Sequence, residues 1–437
     1  MRAGSARVEI TPPKGLPMGG FPERTDPSEG VHDPLFARAL VLDDGAHRVA
    51  ILSADLPEVS PAFAAEVRGR IQQELGIPAE HVLLATSHTH AGPLVMGRRV
   101  SAPDPLYLDT LRNRLVGVAR EAGGALRPAR AGAGRAKVYL GVNRRERAPD
   151  GRLGIGKNPA RYASPYAHVL VVAEEGGGPL ALLFTYGAHP AVLGPRNLQV
   201  SGDYAGHAER VVEENFGDTA VALFALGFAG DVDANHTKRN FDEVEQLGIA
   251  LGRAVIEEMK SIELLGGLGL RARSLRVPLP LESLPSIEEA ESRLLAERER
   301  LAGILGRSED KSEVIRRRMR VDWASELVRV ASEARGEQAA ELEVQGIAIG
   351  RIAIVGLSGE PFAELEKGLQ ELSPFPHTIP IGGANGTIGY LPTDEAFAEG
   401  GYEVETAPYL YGALRLQPGI EPVLRQALAR VLVDLAE

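Results

Sequence analysis

The chain has 437 residues, 44% of them apolar, a formal net charge of −11 and no cysteine. That size and apolar content allow a substantial core, while the acidic balance argues against a nucleic-acid partner. The lack of cysteine excludes disulfides, thiolate metal sites and cysteine nucleophiles together.

Ile10-Thr11-Pro12-Pro13-Lys14-Gly15 opens a proline-rich lead-in, and Pro17 to Asp33 reads as a long ordered loop. Phe36 to Leu42 and Arg48 to Leu52 flank Asp43-Asp44-Gly45, a hairpin signal. Ser60-Pro61 predicts a helix start, with Phe63, Val67, Ile71 and Leu75 along one face and Gly76 as its stop. Val82 to Ala85 is a strand-type apolar run that delivers His88 and His90 and stops at Gly92-Pro93. A helix is expected from near Pro105 to Glu121, then a strand from Lys137 to Val142 ending at Asn143-Arg144-Arg145. Ala167 to Ala173 and Leu180 to Tyr186 read as strands, the second ending in Gly187-Ala188-His189-Pro190. Ser201-Gly202-Asp203 is read as the cap of a helix over Tyr204 to Asn215. Ala220 to Leu226 is a strand running on to Gly230-Asp231-Val232-Asp233-Ala234-Asn235-His236.

From Leu284 to Ala334 the character changes. Ser286-Ile287-Glu288-Glu289 has the capping-box pattern, and Ile287, Ala290, Leu294, Leu301 and Leu305 keep helical spacing. A second helix near Ser312 to Ser332 carries Arg316-Arg317-Arg318, read as a solvated face. Residues 284–334 are therefore expected to form a helical hairpin inserted into a sheet domain. Strands return at Val344 to Ile349 and Ile352 to Leu357, the latter ending in Ser358-Gly359-Glu360-Pro361. Ile379 to Gly382 leads into Asn385-Gly386-Thr387-Ile388-Gly389-Tyr390, and an amphipathic helix near Ile420 to Leu435 closes the chain. The expected fold class is α/β, with a mixed, largely parallel β-sheet core flanked by helices, as one domain over 1–437. Met1 to Val8 lacks the apolar segment of a secretory signal, and no apolar run is long enough to span a bilayer. The expectation is a cytoplasmic chain with no transmembrane segment.

In extended backbone, positions two apart face one side, so His88 and His90 are expected to point into one cavity. His189, Glu360 and Tyr390 also follow strand ends or the glycine-rich stretch near Asn385. Two imidazoles, a carboxylate and an open position form the pattern of hydrolytic zinc sites. The residues by themselves leave other roles open: a packed histidine at 189, a solvated turn carboxylate at 360, an aromatic under a loop at 390.

Read together, the THTHAGP-like segment ending at Pro93, Asn143-Arg144, Ala188-His189-Pro190, Gly230-Asp231-Val232 with Asn235, Ser358-Gly359-Glu360-Pro361-Phe362 and the Asn385 to Glu395 and Gly400 to Glu403 stretches form an ordered set. This set resembles the catalytic domain of the neutral ceramidase family, zinc-dependent N-acylsphingosine amidohydrolases, over nearly the whole chain. The resemblance implies that His88, His189, Glu360 and Tyr390 bind one zinc ion, with His90 beside the attacking water. It also implies that Arg144 and Tyr402 hydrogen-bond the substrate carbonyl or oxyanion. Asp233 stands where the family has a serine, and is counted with the catalytic residues as a base, a ligand for a second cation or a repeller of anions. The implied activity is cleavage of an N-acyl amide, small-molecule or lipid, with ceramide itself set apart by Asp233. The chain also ends where the family's C-terminal β-domain would begin.

Two other functions stand beside this one: a non-catalytic binding protein with the same fold, and a zinc esterase or amidase for a non-lipid substrate. A second metal near Asp231, Asp233 and His236, and homo-oligomerisation, are also left open. Gly151 to Asn158 falls short of a phosphate-binding loop, since it ends in Asn and follows no strand. A barrel amidohydrolase needs eight regular strand–helix alternations, which the paired strands near 344–357 interrupt.

Overall fold

The structure is a computed structural model that describes residues 1–437 apart from Arg98, Asp218 and Glu309. The apolar runs of the first half build an eight-stranded sheet. Its strands are β1 (Arg2–Glu9), β2 (Phe36–Asp43), β3 (Arg48–Ala54), β4 (Val82–Thr86), β5 (Arg127–Lys137), β6 (Tyr166–Glu174), β7 (Pro179–Tyr186) and β8 (Val221–Leu226). They lie in the order β8-β7-β6-β5-β1-β2-β3-β4. A four-stranded sheet follows, with β9 (Leu270–Pro280), β10 (Ala339–Ile349), β11 (Ile352–Leu357) and β12 (His377–Gly382) side by side in chain order.

The two sheets pack face to face. Alternate residues of each strand explain how: Leu40, Leu42, Ile51 and Leu170 meet Ile347, Ile349, Ile354 and Ile379 between the sheets. The intervening residues Ala39, Val41, Ala50 and Leu52 lie under helices α1 (Pro61–Leu75) and α2 (Pro105–Gly124). Val169, Val171, Leu182 and Phe184 do the same under α3 (Asp203–Asn215) and α4 (Phe241–Met259). The outer face of the smaller sheet is covered by the C-terminal helix, Ile420–Ala436, through Leu424, Leu428, Val431 and Leu435. The architecture is a four-layer helix–sheet–sheet–helix sandwich.

The α/β class and the mixed sheet agree with the sequence reading, but "largely parallel" is corrected. Within the two sheets only β3–β4, β7–β8 and β11–β12 run parallel; the other neighbours are antiparallel. The strands read as continuous apolar runs because both faces are buried, one by helices and one by the second sheet. That pattern mimics a parallel core. Elements that escaped the sequence reading include β1, β5, whose Ala, Gly and Arg residues keep its apolar count low, α4 and β9. The strand read over 137–142 is the end of β5 followed by a separate short strand, Gly141–Asn143.

Local signals elsewhere act as expected. Ser60 caps α1 by accepting from Phe63 N, and Gly76 stops it at φ 69°. The Ser201–Asp203 cap differs: Gly202 occupies the N-cap without a side-chain bond. The hairpin helices α5 (Ile287–Ile304) and α6 (Lys311–Glu333) form, with the Ser286–Glu289 capping box closed. Ala290, Trp323, Ala324 and Leu327 pack on Ala413 and Leu414, and Trp323 Nε1 donates to the Ala413 carbonyl at 2.9 Å. The hairpin is thereby docked on the C-terminal segment. In its arginine run Arg316 lies toward Glu23 and Arg317 toward Glu297, while Arg318 is exposed.

Candidate active site

Loops leaving several strand ends meet at one cavity of about 910 Å³, lined by His88, His90, Arg144, Asp233, Glu360, Tyr390 and Tyr402 among others. Small ladders hold these loops together. Glu360–Pro361 pairs in parallel with Tyr390–Leu391, placing Glu360 opposite Tyr390. Gly141–Asn143 pairs with Val232–Ala234, and His189 forms a bridge with Asp233. A Cβ on Gly230 would lie 2.4 Å from the Glu360 carbonyl oxygen, so glycine is what lets the 230–233 turn lie against the carboxylate strand.

His88 and His90 reach the cavity by a route the sequence reading did not foresee. β4 ends at Thr86, and His88 adopts a left-handed φ of 63°. The two rings converge because the chain turns, not because a strand alternates; their centroids are 5.1 Å apart. Thr89 Oγ1 donates to the Ser201 carbonyl and His90 N donates to the Pro190 carbonyl, which pins the turn. His189 joins them, so that three imidazole nitrogens lie within 4.8 Å of one another.

The donor set fits a cation. His189 Nδ1 is 3.0 Å from the Val232 carbonyl and donates to it, leaving Nε2 as a lone-pair acceptor aimed inward. His88 is likewise hydrogen-bonded to the Pro57 carbonyl. Glu360, 1% exposed, brings Oε2 to 3.5 Å from His88 Nε2 and 3.3 Å from His189 Nε2. This buried oxygen has no hydrogen-bond partner, while Oε1 accepts from the Tyr411 hydroxyl at 2.8 Å. A buried, unpaired acceptor facing two further acceptors is costly unless a positive charge sits between them. Burial, with the neighbouring His189 and Arg144, pushes the His88 pKa down to about 4 against the pull of Glu360. Burial likewise holds His90 far below its usual value, together with the charges of His88, His189 and Arg24. Burial alone would raise Glu360, yet the two histidines and Tyr411 hold it well below the usual carboxylate range.

Arg144 stands beside this group. Its Nε donates to Glu403 at 2.9 Å, Nη1 to Asp233 at 3.2 Å, and Nη2 to the Gly230 carbonyl at 2.8 Å. Nη1 also lies 3.4 Å from His189 Nε2, and the guanidinium sits 5.4 Å from the Tyr390 ring and 5.8 Å from the Tyr402 ring. Tyr390 is hydrogen-bonded to Arg144 and is pushed well up by burial and by Glu360. All eight residues singled out in the sequence thus come together.

Two participants were missed. Glu403 is 2% exposed and bridges Arg144 and Arg145; Tyr411 holds Glu360. Glu403 follows Tyr402 directly, so adjacency was the available signal; nothing local marks Tyr411. The second metal considered near Asp231 is not supported. Asp231 spends both oxygens on Ala363 N and Asn143, and among the described residues Asp231, Asp233 and His236 form no ligand group. Burial raises Asp231 to about 6, against the pull of the hydrogen bonds from Ala363 N and Asn143.

No family model matches the sequence. The chain is 25% identical over 258 residues to the neutral ceramidase of Drosophila melanogaster, covering 54% of this chain and 36% of that protein. It is 23% identical over 299 residues to the neutral ceramidase of Mycobacterium tuberculosis, covering 60% and 46%. The matches therefore span less than half the length of these relatives. In structure, neutral ceramidase from Pseudomonas aeruginosa aligns with a TM-score of 0.74 at 21% identity, over 99% of this chain and 74% of that one. A ceramidase complexed with C2 aligns with a TM-score of 0.74 at 20% identity, over 100% and 75%. At these identities the structural likeness speaks for the fold, and the sequence likeness is to neutral ceramidases.

Proposed function

We propose that the chain is a zinc-dependent amidohydrolase that cleaves an N-acyl bond, with His88, His189, Glu360 and Tyr390 holding one zinc ion. The observation that carries this is Glu360 Oε2, buried and unpaired between two inward-facing imidazole nitrogens. A zinc ion bound there supplies Lewis acidity toward the amide carbonyl and toward water at neutral pH.

The protein's own groups supply the rest. Arg144 stays cationic because Tyr390, Asp233 and Glu403 outweigh the effect of its burial. Its guanidinium, with the Tyr402 hydroxyl, offsets negative charge developing on the carbonyl oxygen. His90 is neutral near pH 7, and its Nδ1 is buried without a partner. It accepts a proton from the attacking water and passes it to the departing amine nitrogen as the C–N bond breaks. Asp233 and Glu403 orient Arg144.

The test is metal analysis of the purified protein together with hydrolysis of a panel of N-acyl amides, with and without chelator. Bound zinc and chelator-sensitive cleavage are expected. A protein that binds no metal and cleaves no amide overturns the reading in favour of a non-catalytic binding protein.

A further inference from the structure

Resting on the hydrolase reading, we infer that the substrate carries an anionic group, a carboxylate, sulfate or phosphate, held at the cavity mouth by Arg196, Lys238 and Arg239. All three line the cavity that contains the histidines, and all three are exposed. Among the described residues none of them is ion-paired to a carboxylate. By contrast, Arg7, Arg38, Arg68, Arg99 and Arg145 each face an acid.

The acids that share the cavity wall are committed elsewhere. Asp233 is held on Arg144, Glu23 faces Arg316, Glu360 lies between the two histidines, and Glu58 is only 5% exposed. The floor is therefore charge-balanced and the mouth is not.

The loop that presents Lys238 and Arg239 is fixed in place. Glu243, in the first turn of α4, accepts from Thr237 N at 2.7 Å, Lys238 N at 2.6 Å and Arg239 N at 2.8 Å. The Glu243 carboxylate is thus occupied by backbone amides, Asp242 beside it forms no ion pair with either cation among the described residues, and the two cationic side chains are left for something else. Arg239 itself is left-handed, with φ 54°. A Cβ on Gly194 would meet its Nη1 at 2.5 Å, so this guanidinium lies on the turn that leads to Arg196. Strained non-glycine residues persist where surrounding structure holds them for a purpose, ligand clamps among them.

Guanidinium and ammonium groups with free donors recognise oxyanions through charge-assisted hydrogen bonds. A neutral amide lipid would leave all three unused, and a cationic amine product would be repelled. An amide with an oxyanion on its acyl or its amine portion uses the mouth and the floor together. Three exposed contacts of this kind amount to a preference on the order of tenfold.

The experiment compares matched pairs: N-decanoylglycine against N-decanoylglycinamide for an anion on the amine side, and a glutaryl anilide against a pentanoyl anilide for one on the acyl side. In one pair the anionic member is expected to show a kcat/KM about tenfold higher at low salt, narrowing as salt rises. R196A/K238A/R239A should bring that ratio close to one, and K238E alone, at an exposed position, should lower it. Equal turnover within both pairs, or an undiminished preference in the triple variant, overturns the inference while leaving the hydrolase standing. If the zinc-loaded protein cleaves none of these amides, the hydrolase reading fails and calorimetry decides the inference. N-decanoylglycine or the glutaryl anilide binding wild type more tightly than the triple variant supports it; equal binding, or none, overturns it.

Discussion

Arg38 and Arg144 are both buried among carboxylates, and they differ in what they leave open. Arg38, on β2, is 2% exposed and meets Asp55, Glu209 and Glu213 at 3.1, 2.7 and 3.3 Å. Arg144, 4% exposed, meets Glu403 and Asp233 at 2.9 and 3.2 Å. The Arg38 cluster is sealed between the sheet and α3. The Arg144 cluster opens on the cavity through Asp233, whose side chain is 21% exposed, and through the faces of two tyrosines. Burial and counter-charge occur equally in a structural ion pair and in a site. What separates them is an open side where a ligand atom can reach the guanidinium.

The comparison can be broken in four ways. The largest effect is expected beside Arg144, at the proposed zinc ligands: His189→Ala should abolish both zinc content and hydrolysis, since one of few ligands is lost. His90→Ala should abolish hydrolysis but keep the zinc, as read by metal analysis. Loss of zinc from His90→Ala would instead put the metal among the three imidazoles. Next, Arg38→Met should lower unfolding free energy by about 3–5 kcal/mol in denaturant titration, because it strands buried carboxylates. Activity per folded molecule should persist.

Third, Arg144→Ala should retain zinc and lower kcat by roughly 10²–10³ if it stabilises the oxyanion. Its stability loss should be smaller than that of Arg38→Met, since Glu403 keeps Arg145 at 2.7 Å and Asp233 already faces the cavity. The smallest effect concerns a buried carboxylate with no arginine. Burial raises Asp203 to about 7, and its hydrogen bonds from Tyr204 N and Leu193 N do not reverse this. The folded state therefore favours the neutral acid. That contribution is whole below about pH 4 and is lost as pH rises to about 7. Asp203→Asn should flatten the fall in unfolding free energy across that window, measured by denaturant titration at several pH values.

Much of the site was legible from local grammar. His88, His90, His189 and Glu360 each follow an apolar run that stops at glycine or proline, and chains stop at the sheet edge where loops can converge. The hairpin at 284–334 was legible because Ser286 and Glu289 satisfy each other's backbone within four residues. Strand direction was not. An apolar run such as Leu182 to Phe184 is buried on both faces, and burial carries no information about whether the neighbouring strand runs up or down. Strand β5 was hidden because its neighbours, not its own side chains, supply the apolar bulk.

By itself the sequence determined which side chains were on hand for chemistry and where the backbone must stop, because caps, glycines and apolar runs act within a few residues. Only the tertiary structure decided that His88 turns left-handed to meet His90 and His189, that Glu403 and Tyr411 arrive to hold Arg144 and Glu360, and that Arg196, Lys238 and Arg239 share one mouth. Those contacts join residues separated by as many as 259 positions, as Arg144 and Glu403 are. Their geometry depends on how four layers stack, which no short stretch encodes.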